Sequence, residues 1–117
     1  MTFNLVHDME TKEAKEIQEY FENIIALMPG HVYWKNKNGV ILGCNDLQAQ
    51  SAGFRSRTEL IGKTDYELSW HAQADSLRKI DLLVMETRQP QTIEEISTLA
   101  DGTEAVFLAK KVPLYYK

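Results

Sequence analysis

Apolar and polar positions recur along this chain with two different periods, and the points where the period changes lay out its elements. From Met9 to Met28 the period is helical. Ile17, Phe21, Ile24 and Met28 recur at four- and three-residue steps, with Tyr20, Ile25 and Leu27 widening the stripe. Glu10 and Glu13 suit the positive end of such a helix, and Pro29-Gly30 stops it. Strand patterns follow at Val32 to Asn36 and Val40 to Cys44, around Asn36-Lys37-Asn38-Gly39, and at Thr92 to Leu99 and Glu104 to Val112, around Asp101-Gly102; both punctuations are hairpin signals. Val106 and Leu108 fall on one face of the last strand and Ala105, Phe107 and Ala109 on the other, which predicts cover on both faces. A long helix is predicted from His71 or Ala72 to Arg88. Its stripe is Leu77, Ile80 and Val84, flanked by Leu83, with Arg78, Lys79 and Glu86 toward water.

Between the hairpins stand three helix-start signals in series: Asn45-Asp46-Leu47-Gln48, Ser56-Arg57-Thr58-Glu59 and Thr64-Asp65-Tyr66-Glu67. Each offers an N-cap oxygen and, three residues on, a Glu or Gln able to bond back, and Gly53 and Gly62 punctuate them. The order is hairpin, several very short helices, long helix, hairpin. That order, with Met28-Pro29-Gly30, Val32-Tyr33-Trp34-Lys35-Asn36, Leu60-Ile61-Gly62-Lys63-Thr64 and Asp101-Gly102 at their spacing, resembles the PAS domain family, the sensory modules of bacterial signalling proteins. The likeness runs from about Asn23 to the C-terminus, and Arg88-Gln89 stands before Pro90 where relatives often carry a Gly helix stop.

The resemblance implies an α+β fold: an antiparallel sheet, short helices and one long helix on one face, and the N-terminal amphipathic helix outside. Residues 1–8 are expected to be a mobile or extended segment, 9–29 the helix, and 30–117 the PAS-like domain, truncated at its C-terminus. The family's sheet has five strands, the last of them central, and only four are found. Leu114-Tyr115-Tyr116-Lys117 approaches a fifth. The missing central strand leaves two expectations: the halves close on each other, or an extended segment such as Thr2 to Val6, from this chain or a partner, fills the slot.

At 117 residues, 44% apolar and 26% charged, the chain is one ordinary globular domain. Its net charge of −4 argues against a nucleic-acid surface, and one Cys fits a reducing compartment. There is no apolar run of membrane-spanning length and no signal-peptide pattern, so a cytoplasmic domain without direct membrane contact is expected.

The sequence holds no phosphate-cradling loop, nucleophile elbow or His-Glu-x-x-His helix. Glu94 and Glu95 are strand neighbours pointing to opposite faces, and His7, His31 and His71 fall in three separate elements. The chain therefore reads as non-catalytic, with no metal. Gly43-Cys44-Asn45 superficially resembles a flavin-photoreceptor motif, but its Cys precedes the Asn and ends a strand. His71 opens the long helix, one or two turns short of a haem ligand's place, so no cofactor is predicted.

The resemblance implies a sensory or regulatory domain that binds a small ligand or a partner and relays the change to an output domain, such as a histidine kinase in a two-component system. A ligand-free dimerisation scaffold is the alternative, and a haem or flavin sensor a third reading. Candidate cavity residues are Trp34, Leu42, Cys44, Tyr66, Leu77, Ile80, Val84 and Phe107 or Leu108; the strand parity of the first hairpin stays open, since its turn counts as two or four residues. Trp34 could equally be plain core, and Tyr66 could face water. Trp70 is expected to pack the junction into the long helix. Ile17, Tyr20, Phe21, Ile24 and Met28 are candidates for a homodimer seam, for docking on the domain, or for both.

Overall fold

A strand from the start of the chain occupies the middle of the sheet in the structure, a computed structural model that describes residues 2–5 and 12–114. β1 (Thr2–Leu5) lies between β2 (Tyr33–Lys35) and β5 (Glu104–Leu114). β3 (Ile41–Cys44) and β4 (Gln91–Thr98) form the two edges, giving the order β3-β2-β1-β5-β4. The β2–β3 and β4–β5 pairs are antiparallel, whereas β1 runs parallel to both its neighbours. Thr2 stands opposite Tyr33 and Lys111, and Phe3 opposite Trp34 and Val112. The slot between the hairpins is thus filled by an extended segment of the same chain. Left open, it would expose backbone groups that cost about 1–3 kcal/mol each when buried and unpaired. Val6, His7 and Glu10, and Tyr115-Tyr116-Lys117, lie outside the described residues.

α1 (Lys12–Ala26) precedes β2; α2 (Asp46–Ser51), three 3-10 turns at Arg57–Leu60, Asp65–Glu67 and His71–Gln73, and α3 (Ala74–Thr87) separate β3 from β4. The three start signals behave differently at their backbones. Asn45 accepts the Gln48 N–H, Ser56 and Glu59 form a reciprocal box, and Thr64 makes no backbone cap but bonds the Glu67 side chain at 3.3 Å. α3 ends at Arg88, which takes the left-handed conformation (φ 58°) that a glycine would adopt more cheaply.

The sheet separates two apolar clusters. Tyr33, Ile41 and Cys44 point inward, where Ala49, Leu60, Leu68, Trp70 and Leu77 cover them. Val32, Trp34 and Leu42 point outward, under Phe21, Ile25 and Met28 at the C-terminal half of α1 and beyond it. Trp34 meets the Phe21 ring edge-on at 5.0 Å and lies flat over Gly43, where any Cβ would run into the indole. The rest of the outer face has no such cover among the described residues. Ile96, Val106 and Leu108 are 50%, 69% and 77% exposed, whereas the described apolar contacts of α1 fall on Val32, Trp34 and Leu42.

Candidate functional site

A cavity of about 390 Å³ lies on the inner side of the sheet. β1, β4 and β5 bring Thr2, Glu95, Ser97, Phe107 and Ala109 to it, β2 brings Tyr33, α2 brings Gln48 and Ser51, and Trp70 and Leu77 close it from the helical side. The strand parity explains this set. Glu95 and Ser97 share the inward face of β4, opposite Phe107 and Ala105 of β5, while Glu94 is exposed on the other face. Asn45 fixes the adjoining loop: its side chain accepts from Val32 N–H at 3.1 Å and donates to the Gly30 carbonyl at 2.7 Å. Two edge-on ring pairs stand in the wall, Tyr33 with Trp70 (6.3 Å) and His31 with Phe107 (5.2 Å). Burial holds the His31 imidazole below its ordinary pKa, favouring the neutral ring.

Behind this wall runs a chain of buried charges. Lys35, on the inward face of β2 beside Tyr33, donates to Asp65 at 2.5 Å and to Asp81 at 2.6 Å. Asp65 also accepts the Trp70 indole N–H at 2.8 Å. Asp81 extends toward Lys111 of β5 at 3.7 Å, and Lys111 toward Glu95 at 3.5 Å. Both lysines are fully buried. Burial alone would disfavour the charge on Lys35, but Tyr33, Asp65 and Asp81 outweigh it and hold its pKa above the ordinary lysine value. For the neutral-acid Tyr33 hydroxyl burial acts in the opposite sense and raises the pKa above its usual range. The far end of the chain is less complete: Lys111 Nζ, Asp81 Oδ1 and Glu95 Oε2 are buried and none makes a hydrogen bond.

The residues singled out from sequence divide among three places. Leu77, Phe107 and Leu108 line the cavity, Leu108 with its side chain largely exposed. Trp34 and Leu42 lie on the outer face under α1, and Tyr33, one position away, is the wall residue. Cys44 is in the inner core, its thiol 3.6 Å from the Arg57 carbonyl and pushed up to about 12, chiefly by burial. Val84 is fully buried, Ile80 borders a second recess beside Leu77 and Ile93, and Tyr66 is exposed and donates to Asp75 at 2.7 Å. Phe21 on α1 and Met28 just beyond it pack against the outer face of the sheet, while Ile17, Tyr20 and Ile24 are 60%, 68% and 62% exposed. Lys35, Asp65, Asp81, Glu95 and Lys111 were not legible as a site. The signal was present at Asp81, which stands four residues after Leu77 and three before Val84, on the buried stripe of α3. Among the described residues no group of three or more His, Cys, Asp or Glu could hold a metal ion, and no helix is long and apolar enough to cross a membrane.

A family model described as the PAS fold matches residues 26–116. A protein of Sinorhizobium fredii, y4lL, is 31% identical over 91 residues, covering 78% of this chain and 11% of that protein. Among solved structures, VqmA bound to DPO superposes with a TM-score of 0.66 at 23% identity, covering 82% of this chain and 47% of that one. The PAS domain of an HTR-like protein from Haloarcula marismortui gives 0.56 at 16% identity, covering 79% of each. The chain therefore spans about a tenth of the curated relative and under half of the VqmA chain.

Proposed function

The chain belongs to the PAS-fold family, and on that premise we propose that it is the sensory domain of a longer bacterial signalling protein, taking a small molecule into the inner cavity. One observation carries this reading. A cavity of about 390 Å³, within the size range of small-molecule sites, is walled by Tyr33, Trp70, Leu77 and Phe107 and receives the polar side chains of Gln48, Ser51, Glu95 and Ser97. Apolar area supplies affinity there, and the few polar groups fix orientation. The VqmA structure holding DPO lends support by its fold. The ligand would act through its different affinity for two arrangements of sheet and helices, and an output domain beyond this chain would read the difference. The domain itself is non-catalytic and cytoplasmic in this reading, without a resident cofactor and without contact to nucleic acid. It pairs with a second copy through α1, where Ile17, Tyr20 and Ile24, with Leu27 in the turn just beyond, form an exposed apolar row at helical spacing.

Leu77→Trp tests the cavity. The indole would fill it, so a small-molecule extract of the host cells should raise the melting temperature of the unaltered protein and leave that of the variant unmoved. Equal responses from the two proteins would overturn the reading.

A further inference from the structure

The charges around the cavity select one class of ligand. The buried chain contains two ammonium groups, Lys35 and Lys111, and three carboxylates, Asp65, Asp81 and Glu95. With all five ionised it carries one excess negative charge. Lys35 donates to Asp65 and Asp81 and lies over the Tyr33 ring at 4.9 Å, and Asp65 also accepts the Trp70 indole N–H. The excess therefore falls at the other end, where Lys111 must serve both Asp81 and Glu95 from 3.7 and 3.5 Å without a hydrogen bond to either. Of that trio, Glu95 is the member that lines the cavity, and its Oε2 is a buried acceptor with no donor. A carboxylate oxygen in that situation is costly unless a donor reaches it.

The wall around Glu95 completes the recognition. Tyr33, Trp70 and Phe107 line the same cavity, and aromatic rings attract cations through their electron-rich faces. The cation on that strand face, Lys111, is already engaged by the two carboxylates, while Lys110 borders the cavity but carries an exposed side chain on the opposite strand parity. His31, also in the wall, is kept toward its neutral form by burial.

We infer that the cavity takes a small organic cation, an ammonium group on an apolar or aromatic body, with Glu95 accepting its N–H and the Trp70 and Phe107 rings in the same wall. One positive charge brings the buried set to neutrality and gives Glu95 Oε2 its missing donor. This rests on the reading of the cavity as a ligand site.

The test uses three probes that share a ring and differ in charge: phenethylamine, 2-phenylethanol and phenylacetate. Each is titrated into the 15N-labelled protein, following the Trp70 indole and the Ser97 and Phe107 amides. Phenethylamine should bind about tenfold more tightly than the alcohol, with phenylacetate weakest. Glu95→Gln should shrink the amine's advantage to about threefold or less. The three-probe comparison on the unaltered protein decides the matter even if the variant does not fold. Equal or tighter binding of the alcohol or the acid would overturn the charge assignment and leave the cavity reading standing. If none of the three moves those resonances, the ammonium inference falls together with its support for a ligand site.

Discussion

Asp81 is the residue on which the interior depends most. One carboxylate faces two buried lysines, at 2.6 Å from Lys35 and 3.7 Å from Lys111. Removing it takes from Lys35 one of its two carboxylate hydrogen bonds and leaves Lys111 with Glu95 alone at 3.5 Å, and a buried hydrogen bond between charged groups is worth about 1.5–3 kcal/mol. Asp81→Ala should therefore lower the urea midpoint strongly with an unchanged slope, and a shift typical of a surface site would contradict the role given to it. Cys44 gives a prediction with a pH sign. Its folded pKa, pushed up to about 12, lies above the ordinary thiol value of 9.0, so the native state keeps its proton where the unfolded chain gives it up. Stability is unaffected by this thiol below about pH 9 and declines as pH rises from there toward about 12. Cys44→Ala, measured by urea denaturation across pH 8–11, should lose that part of the decline; parallel curves would count against it. These charged and thiol positions explain where reading by pattern stopped. Lys35, Asp81 and Lys111 sit at core parity among Tyr33, Leu77 and Ala109, but a lone charged residue in an apolar pattern ordinarily points to water.

Among the elements, α1 and the turn that follows it carry two apolar rows. Phe21, Ile25 and Met28 close over Trp34 and Val32, whereas Ile17, Tyr20, Ile24 and Leu27 face away from the domain. The width of the stripe was legible, and its division was not, because the division depends on which edge of the sheet the helix covers. The two rows make opposite predictions. Ile17→Glu with Ile24→Glu should yield a smaller species in light scattering at nearly unchanged melting temperature. Phe21→Ala should keep the assembly and lower stability, by less than the roughly 3–5 kcal/mol of a fully buried Phe. A monomer at high concentration for the unaltered protein would contradict the first expectation. The hairpins and the series of short helices were readable because they rest on local chemistry: Asn36 in the first turn and Asp101 in the second, Asn45 and Ser56 with Glu59 at the caps, and glycines at positive φ.

For the molecule as a whole, the topology was readable except at its centre. An Asn-Gly turn specifies a neighbour in sequence, but nothing local brings Thr2–Leu5 between strands that lie thirty and a hundred residues away. The unpaired backbone of β2 and β5 supplies the reason instead. The same strand delivers Thr2 to the cavity, so one strand both closes the sheet and completes the cavity wall. The claim that this cavity exists to hold a ligand is met most directly by weighing the protein, purified from its own cells, under native and then denaturing conditions. A single small-molecule adduct per chain, lost on denaturation and missing from Leu77→Trp, is the predicted result. Identical masses in both conditions, with Leu77→Trp melting higher than the unaltered protein, would mean an idle void and contradict the account.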